Sequence, residues 1–528
     1  MLFTSYTFIF FILAVFVIYY IIPKKFQWPF LLIASYVFYA FSGWKFVIFL
    51  LFTSLTAHAA TMKIQSLHTE RKEYVKAHKS ELSRDEKKAY NAKMKGKARL
   101  CMILCLVANF LLLGVIKYTN FVIDNINHII SGEISFVNIA LPMGLSFYMF
   151  QTMGYVIDVF WEKTEAEMNP FKVMLFTSFF PQLVQGPISR YGDLSETLFS
   201  EHKFDWAVIT SGCERILWGF FKKMVIADRM LPAVKTIIGD PDTYNGAFVL
   251  LGMLFYAIEL YSDFTGGIDI TIGVAEVLGI KVKENFERPF FSKTIDEYWR
   301  RWHITMGTWF RDYIFYPISV SPKNIKRVAT WKKIFGDHIG KRMPIYIGTT
   351  LTWFVTGVWH GASWNFIVWG LLNGLIIMIS EELKPLYERF HSKFNVSGKW
   401  PYEFFCIART FVLMSFLRSL DCYRDVPLTF KMVGTIFTSF GGGRLFDGSL
   451  FNLGITAWDY AVIAVGIVLM NIVSIYNEKH KEEGTIRVLI NKSAFSRILV
   501  IWTLFFAIII FGAYGIGFDA SQFIYNQF

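Results

Sequence analysis

The feature that most constrains this chain is the recurrence of apolar runs about as long as a lipid bilayer is thick. A helix needs about 20 consecutive apolar residues to cross the hydrocarbon core. Only helices and closed barrels satisfy their backbone polar groups in lipid, so such runs predict an all-α protein that crosses the membrane several times. Candidate spans occur at Thr4–Ile22, Trp28–Phe41, Trp44–Met62, Arg99–Phe121, Val173–Val184, Trp206–Ile226, Ala247–Leu260, Ile345–Ile379, Phe404–Leu420, Trp458–Ile475 and Ile498–Tyr514.

Weaker apolar segments lie between these spans, at Ile139–Phe160 and Gly266–Ile280. Short segments interrupted by Gly or Pro are typical of half-helices around an internal cavity. We find no internal repeat and no linker rich in Ser or Pro. We therefore expect residues 1–528 to form a single membrane domain.

The composition supports a membrane protein and argues against a nucleic-acid-binding one. Hydrophobic residues make up 54% of the chain and charged residues 18%, whereas soluble domains average about 25% charged residues. The net charge of +12 would be compatible with a nucleic-acid partner in a soluble protein. Here the basic residues concentrate in a few short loops and do not alternate with aromatic residues, so we expect no nucleic-acid partner.

The basic loops predict the orientation of the chain in the membrane. Lys and Arg concentrate at Lys24-Lys25, Lys63–Arg99 and Lys323–Arg342, and such loops face the cytoplasm. The N-terminus lacks the basic region of a signal peptide, so we expect a retained first helix with its N-terminus outside. We expect residues 63–99 to form a pair of solvated helices in the cytoplasm. If Glu478–Arg497 is also cytoplasmic, the C-terminus lies outside.

One long segment without charges singles out a histidine. Between Arg342 and Glu381 there is no Lys, Arg, Asp or Glu, and the one side chain that titrates near neutral pH is His360. As a single helix this segment would be about 57 Å long, far more than the roughly 30 Å hydrocarbon core. We therefore predict that it tilts strongly or breaks near Gly361. An ionisable residue at that depth is a functional candidate, because a neutral imidazole can act as a general base. The alternative is a structural histidine bonded to a carbonyl.

Two further clusters mix charges with apolar residues. The segment Ile295–Thr305 combines charges, aromatic residues and His303, and its simplest interpretation alone is an interfacial amphipathic helix. The segment Glu259–Asp269 places carboxylates in an apolar context, where they need cationic partners. We expect these carboxylates to shape a cavity rather than to catalyse. The partners that we expect for them are Arg300, Arg301 and Arg311.

Other motifs narrow the choice of chemistry. Gly186-Pro187 follows an apolar run, so a helix ends there and a loop or re-entrant turn follows. No Gly-rich nucleotide loop and no Gly-x-Ser-x-Gly elbow occurs, so a serine-hydrolase mechanism has no support. The five cysteines lack zinc-ligand spacing, and we expect core thiols and no metal site.

Taken together, five segments resemble the membrane-bound O-acyltransferase family, and within it the membrane subunits of bacterial alginate O-acetyltransferases. The combination Trp-Arg-Arg-Trp-His, Trp-Phe-Arg-Asp-Tyr and Trp-His-Gly-Ala-Ser-Trp-Asn is the most specific part. The segments occur in the family's order, within a catalytic core at residues 181–371. They are Gln185–Tyr191, Tyr261–Gly267, Asn285–Phe290, Glu297–Pro317 and Val358–Asn365.

The resemblance implies a fold and a set of site residues. The fold is a ring of transmembrane and re-entrant helices around a central funnel. The family's catalytic base, a histidine in an apolar helix, matches His360. A second position, His or Asn in the family, matches His303, which we expect to orient or stabilise the donor. The residues that we expect to help bind the donor are Arg300, Arg301, Trp302, Arg311, Trp359 and Asn365.

The C-terminal segment 498–528 carries a further match. Phe523–Phe528 is similar to a Phe-x-Tyr-x-x-Phe ending found in this branch and in a small partner of the teichoic acid D-alanylation system. The resemblance implies that Tyr525 carries the acyl group, since a nearby histidine can deprotonate a phenol. The alternative is an aromatic anchor at the membrane interface.

The function that the resemblance implies is acetyl transfer to an extracellular polysaccharide. The expected donor is acetyl-CoA, used as a substrate and not bound permanently, with its phosphates held in part by Lys323–Arg342. The expected setting is the lipid of a bacterial inner membrane, with an extracytoplasmic acetyltransferase partner. The alternatives are D-alanyl transfer to teichoic acid and, outside enzymes, a transporter or flippase, although transporters often contain repeats.

Overall fold

A computed structural model describes residues 5–130, 132–480 and 486–514. These residues form helices joined by short loops, and this part of the chain contains no β-strand. Its one isolated β-bridge is antiparallel and joins Phe286 to Trp302. The chain divides into two compact units, Met1–Ile209 with Val274–Lys283 and Thr210–Gly273 with Glu284–Phe528.

Six helices in the described ranges are long and apolar enough to cross a membrane, which confirms an all-α protein with several crossings. Two shorter apolar helices are Tyr6–Ile21 and Val426–Thr438. The ring of helices around a funnel stays a prediction. The six helices lie at Trp44–Ala77, Arg84–Ile130, Ala247–Val277, Trp364–Glu382, Ala457–Lys479 and Ala494–Phe511.

The first unit is built on the helices that precede residue 206. The helices are α1 Tyr6–Ile21, α2 Gln27–Ala40, α3 Val47–Ala77, α4 Arg84–Ile130, α5 Leu145–Phe160, α6 Pro170–Ser178, α7 Phe180–Leu183 and α8 Tyr191–Leu198. Helix α5 is buried along nearly its whole length, and it packs against α3, α4 and α6. Residues 63–99 are helical on both sides of a turn at residues 78–83.

The remaining helices follow residue 205 and include two π-helical segments, Phe221–Ala227 and Arg311–Phe315. The α-helices are α9 Trp206–Phe220, α10 Asp228–Gly239, α11 Ala247–Val277, α12 Ile295–Arg301, α13 Ile304–Phe310, α14 Tyr316–Ser319, α15 Pro322–His360, α16 Trp364–Glu382, α17 Lys384–Phe394, α18 Trp400–Tyr423, α19 Val426–Thr438, α20 Ala457–Lys479, α21 Ile486–Ile490 and α22 Ala494–Phe511.

The segment after α7 is irregular although it is buried. The helix ends at Leu183, as the Gly-Pro pair predicts, and residues 184–189 are buried without regular structure. The Gln182 amide donates to Ser189 Oγ at 2.6 Å and to the Pro187 carbonyl at 3.1 Å. Irregular backbone at membrane depth is tolerated where protein groups satisfy its polar atoms.

The glycine pair in α11 does not interrupt the helix, which corrects the division into Ala247–Leu260 and Gly266–Ile280. α11 is continuous from Ala247 to Val277. A Cβ atom at Gly219 of α9 would lie 2.6 Å from the carbonyl oxygen of Gly266. Small residues at a crossing let two membrane helices approach closely, so Gly266 serves packing between α9 and α11.

Candidate active site

His303 lies at the end of a short backbone pairing between residues 285–287 and 301–304. The Glu287 amide donates to the Arg301 carbonyl, and the Ile304 amide donates to the Asn285 carbonyl, each at 2.9 Å. This pairing holds His303 in a left-handed conformation with φ of 48° just before α13. A non-glycine residue in that region is uncommon, and such strain concentrates at functional sites.

Asn285 fixes the protonation of the His303 ring. Its Oδ1 atom accepts hydrogen bonds from the backbone amide and the hydroxyl of Thr305, at 3.1 and 2.9 Å. The same oxygen lies 3.2 Å from His303 Nδ1. Because a carbonyl oxygen only accepts, we assign the proton to Nδ1. The lone pair of the neutral ring is then on Nε2.

His303 is neutral at physiological pH. The residue is 1% exposed. Burial and the positive charge of Arg418 lower the pKa of His303 to about 3. Both effects disfavour the protonated ring. A neutral imidazole suits hydrogen bonding to a substrate better than the delivery of a proton.

His360 lies at a helix break, one of the two alternatives, a strong tilt or a break near Gly361, that the sequence predicts. α15 ends at His360, Gly361 is extended, and α16 begins at Trp364. A Cβ atom at Gly361 would overlap the ring of Phe366, so the glycine lets the chain pass this ring. The His360 ring is half-buried; it stacks on Phe366 at 6.1 Å and meets the edge of Trp369 at 4.7 Å between centroids.

One indole connects the two histidines. The Trp359 ring centroid lies 6.0 Å from that of His303 and 5.0 Å from that of His360. Trp359 is buried. The structure therefore gathers three predicted site residues, His303, Trp359 and His360, in one aromatic cluster.

The cluster continues through residues that sequence reasoning missed. Trp299 contacts Trp369 at 5.6 Å between ring centroids, and its indole N–H donates to Asn373 Oδ1 at 3.1 Å. The guanidinium of Arg418, from α18, lies 4.1 Å from the ring centroid of Trp302. Two arginines, Arg409 and Arg418, interrupt the apolar span Phe404–Leu420, and this was the signal that could have identified Arg418.

The predicted donor-binding residues are not all near the histidines. Arg300 is exposed and pairs with Asp296, and Arg311 pairs with Asp312 at 3.1 Å. Arg301 pairs with Glu297 at 2.7 Å and with Glu478 at 3.1 Å. Trp302 and Asn365 are buried, and the Asn365 amide donates to the Leu420 carbonyl at 3.1 Å. Donor binding by these five residues and by Trp359 stays a prediction.

The expected partners of the buried carboxylates were wrong. Asp263 pairs with Lys223 at 2.5 Å, and Asp269 pairs with Lys222 at 2.6 Å and with Arg215 at 2.9 Å. Arg300 and Arg301 instead meet carboxylates one turn earlier in α12. The two lysines reach α11 from a π-helical segment, whose wider turn departs from ordinary helical spacing.

A cavity of about 620 Å³ lies beside the His303 segment. Small-molecule sites range from about 300 to 1,000 Å³, so the cavity has room for a small substrate. One part of its lining is charged and another is apolar. The lining includes Phe286, Arg288 and Ile304 together with the charged Arg215, Lys222, Asp269 and Arg487 and the apolar Trp218, Met470, Val500 and Leu504.

The proposed acyl carrier, Tyr525, lies outside the described residues, as does the rest of Phe523–Phe528. Its role stays a prediction from the sequence.

Comparison with known proteins identifies relatives of this chain. A family model described as "MBOAT, membrane-bound O-acyltransferase family" matches residues 162–331. The probable alginate O-acetylase of Azotobacter vinelandii is 33% identical over 400 residues, which cover 73% of this chain and 69% of that protein. The peptidoglycan O-acetyltransferase of Helicobacter pylori is 30% identical over 321 residues, 56% of this chain and 57% of that protein. The teichoic acid D-alanyltransferase of Bacillus subtilis is 29% identical over 279 residues, 50% and 62% respectively.

The names of these relatives describe acyl transfer, which is chemistry that a site with two histidines can support. The matched model includes His303 and the π-helical segment Arg311–Phe315, and it ends before His360. The similarity to the Azotobacter protein extends over more than two thirds of each chain. The chain therefore belongs to the membrane-bound O-acyltransferase family and is an O-acyltransferase.

Proposed function

We propose that this protein moves an acetyl group from a cytoplasmic thioester, acetyl-CoA, toward a polysaccharide hydroxyl outside the cell. The observation that carries the proposal is the position of His360. The residue ends a helix inside an uncharged segment and shares an aromatic cluster with the neutral His303. Relatives named as acting on alginate and peptidoglycan support a polysaccharide acceptor.

His360 acts as the general base in this mechanism. It removes the proton from the attacking hydroxyl as the oxygen bonds to the thioester carbonyl carbon. The carbonyl electrons move to oxygen, and they return as the carbon–sulfur bond breaks. The proton held by His360 then passes to the leaving thiolate, so CoA departs as a thiol. The histidine ends in its starting state.

His303 orients the donor through a hydrogen bond. Its neutral ring keeps the proton on Nδ1 toward Asn285, so Nε2 can accept a hydrogen bond from the pantetheine amides of the donor. The cavity beside the His303 segment receives the thioester arm. The basic segment Lys323–Arg342 attracts the phosphates of CoA by long-range electrostatics.

Tyr525 is the proposed intermediate acyl carrier. Its phenol, deprotonated by His360, attacks the thioester and forms an acetyl ester as CoA leaves as a thiol. An extracytoplasmic acetyltransferase partner then takes the acetyl group from this ester, and the phenol of Tyr525 is regenerated. The partner completes transfer to the polysaccharide. This arrangement requires a bacterial inner membrane with the C-terminus of the chain outside, as the charge distribution predicts.

A second candidate is D-alanyl transfer to teichoic acid, favoured by the similarity to the Bacillus subtilis enzyme. The two reactions differ in the donor, so purified protein should be incubated separately with radiolabelled acetyl-CoA and with a carrier protein bearing radiolabelled D-alanine as a thioester. Label transferred from acetyl-CoA alone supports the proposal. Label transferred from the D-alanyl thioester alone supports the second candidate. A protein that labels from neither donor contradicts both candidates.

A further inference from the structure

Arg418 is a buried cation with an unusual environment. It belongs to α18, within an apolar stretch of that helix, and it is 6% exposed. No carboxylate oxygen of the described residues lies within 4.0 Å of its guanidinium. Its Nε and Nη2 atoms have no hydrogen-bond partner in the same part of the chain. A buried charge without an ion-pair partner is costly.

The nearest carboxylate in sequence interacts with the charge of Arg418 but takes its hydrogen bond from another residue. Asp421, one turn after Arg418, accepts a hydrogen bond from the Tyr256 hydroxyl at 2.6 Å. Arg418 also interacts with the hydroxyl of Tyr298, and its other close contacts are with the faces of two indole rings. Its guanidinium carbon lies 4.1 Å from the Trp302 ring centroid and 5.9 Å from that of Trp299. Ring faces stabilise a cation without using its N–H donors.

These aromatic contacts connect Arg418 to both histidines. Trp302 directly precedes His303, and the charge of Arg418 acts on the His303 ring. Trp299 contacts Trp369, which meets the edge of His360 at 4.7 Å. The Leu420 carbonyl, in the same turn as Arg418, accepts a hydrogen bond from Asn365 just beyond the helix break at Gly361.

The geometry points to Arg418 as the group that stabilises negative charge on the thioester carbonyl oxygen during acyl transfer. This role rests on the proposed function. As the hydroxyl oxygen adds to the carbonyl carbon, the carbonyl electrons become an oxyanion, and the unused N–H groups of Arg418 donate to it. When the carbon–sulfur bond breaks, the charge leaves that oxygen. Donors held in a water-poor site act strongly on such charge.

The stability of Arg418 variants distinguishes a role in stabilising the oxyanion from a purely structural role. A cation that holds helices together by ion pairs destabilises the protein when it is removed. Removal of a buried cation that lacks such pairs leaves stability unchanged or raises it, while removal of an oxyanion donor slows turnover by about 100- to 1,000-fold. Arg418→Met should therefore lose activity without a lower melting temperature.

The experiment uses the full-length protein in detergent with radiolabelled acetyl-CoA. Single-turnover rates and melting temperatures are compared for wild type, Arg418→Met, Arg418→Lys and the matched control Arg409→Met. Arg409 lies on the same helix, is exposed, and donates to the Lys293 carbonyl. We expect Arg418→Met to be about 100-fold slower or more at saturating donor, Arg418→Lys to be intermediate, and added guanidinium ion to restore part of the Arg418→Met rate.

The results distinguish the two proposals. A wild-type rate in Arg418→Met overturns the role of Arg418 alone. A slow Arg418→Met that also melts at a lower temperature, and that neither lysine nor guanidinium rescues, assigns Arg418 to structure and overturns the inference as well. A wild-type protein that transfers no acetyl group refutes the proposed function together with this role.

Discussion

The ring of His303 lies 6.0 Å from the ring of Trp359, the residue that directly precedes His360. The two histidines come from separate helical segments, α12–α13 and α15, and the indole of Trp359 is the side chain that contacts both rings. A change at Trp359 should therefore alter the position of both histidines.

Trp359→Ala should destabilise the protein by about 3–5 kcal/mol, the range for removing a buried aromatic residue. The acetyl transfer rate should also fall, because neither histidine keeps its packing. Thermal unfolding and single-turnover rates measure the two effects. Trp364→Ala is the control, since Trp364 is 57% exposed. If the two variants have the same unfolding free energy and the same transfer rate, Trp359 does not position the histidines.

Asn285→Ala should slow acetyl transfer by about 10- to 100-fold, as happens when a group that orients a functional imidazole is removed. The variant loses the oxygen that holds the proton on His303 Nδ1. Asn285→Gln, which keeps the amide but displaces it, should be similarly impaired. Asn471→Ala is the control, because the exposed Asn471 amide donates to a carbonyl of its own helix. A wild-type rate in Asn285→Ala would mean that the orientation of His303 does not matter.

The depressed pKa of His303 predicts a specific loss of stability in acid. In the unfolded chain this histidine titrates near 6.5, whereas in the folded protein its pKa is about 3. Between these values the unfolded state binds a proton that the folded state does not. Stability should therefore fall as pH decreases through this window, by at most about 1.4 kcal/mol per pH unit from His303.

His303→Asn tests this prediction because it removes the titrating group. The melting temperature of His303→Asn should decline less than that of wild type between about pH 6.5 and pH 4. His128→Asn, at an exposed histidine of α4, should follow the wild-type curve. If His303→Asn also follows the wild-type curve, the folded pKa of His303 is not depressed.

Tyr525→Phe removes the phenol oxygen and leaves an aromatic anchor. If Tyr525 carries the acyl group, the variant should neither retain label from acetyl-CoA nor support acetylation of the polysaccharide. The measurement is acetate released by base from the cell-surface polysaccharide. Tyr514→Phe, at the last described residue, is the control. Full acetylation in Tyr525→Phe would restrict this tyrosine to a role as an anchor.

Much of the fold follows from the need to place apolar helices in lipid. The apolar runs of the sequence therefore predict it. The uncharged segment around Gly361 exceeds the bilayer in length, so the sequence predicted either a strong tilt or a break there, and the structure has the break. The ion pairs of α11 did not follow. Lys222 and Lys223 reach Asp269 and Asp263 through a π-helical segment, and the insertion that widens a helix leaves no clear pattern in the sequence.

The candidate site, like the fold, was predicted from the sequence only in part. His360 and His303 were identified from burial depth and from motifs, because these signals lie within short segments. Arg418 and Asn285 were missed, since their importance depends on contacts with Trp302 and His303 that are made only in the folded chain. An amide and a single arginine have no local pattern that separates a functional residue from a structural one.

The most direct test of the account is the single-turnover rate of acetyl transfer in His360→Ala. The purified variant is compared with wild type and with His128→Ala, which changes an exposed histidine of α4. Loss of a general base costs about 100- to 10,000-fold. The account predicts such a loss in His360→Ala with an unchanged melting temperature, and a wild-type rate in His128→Ala. A wild-type rate in folded His360→Ala would contradict it.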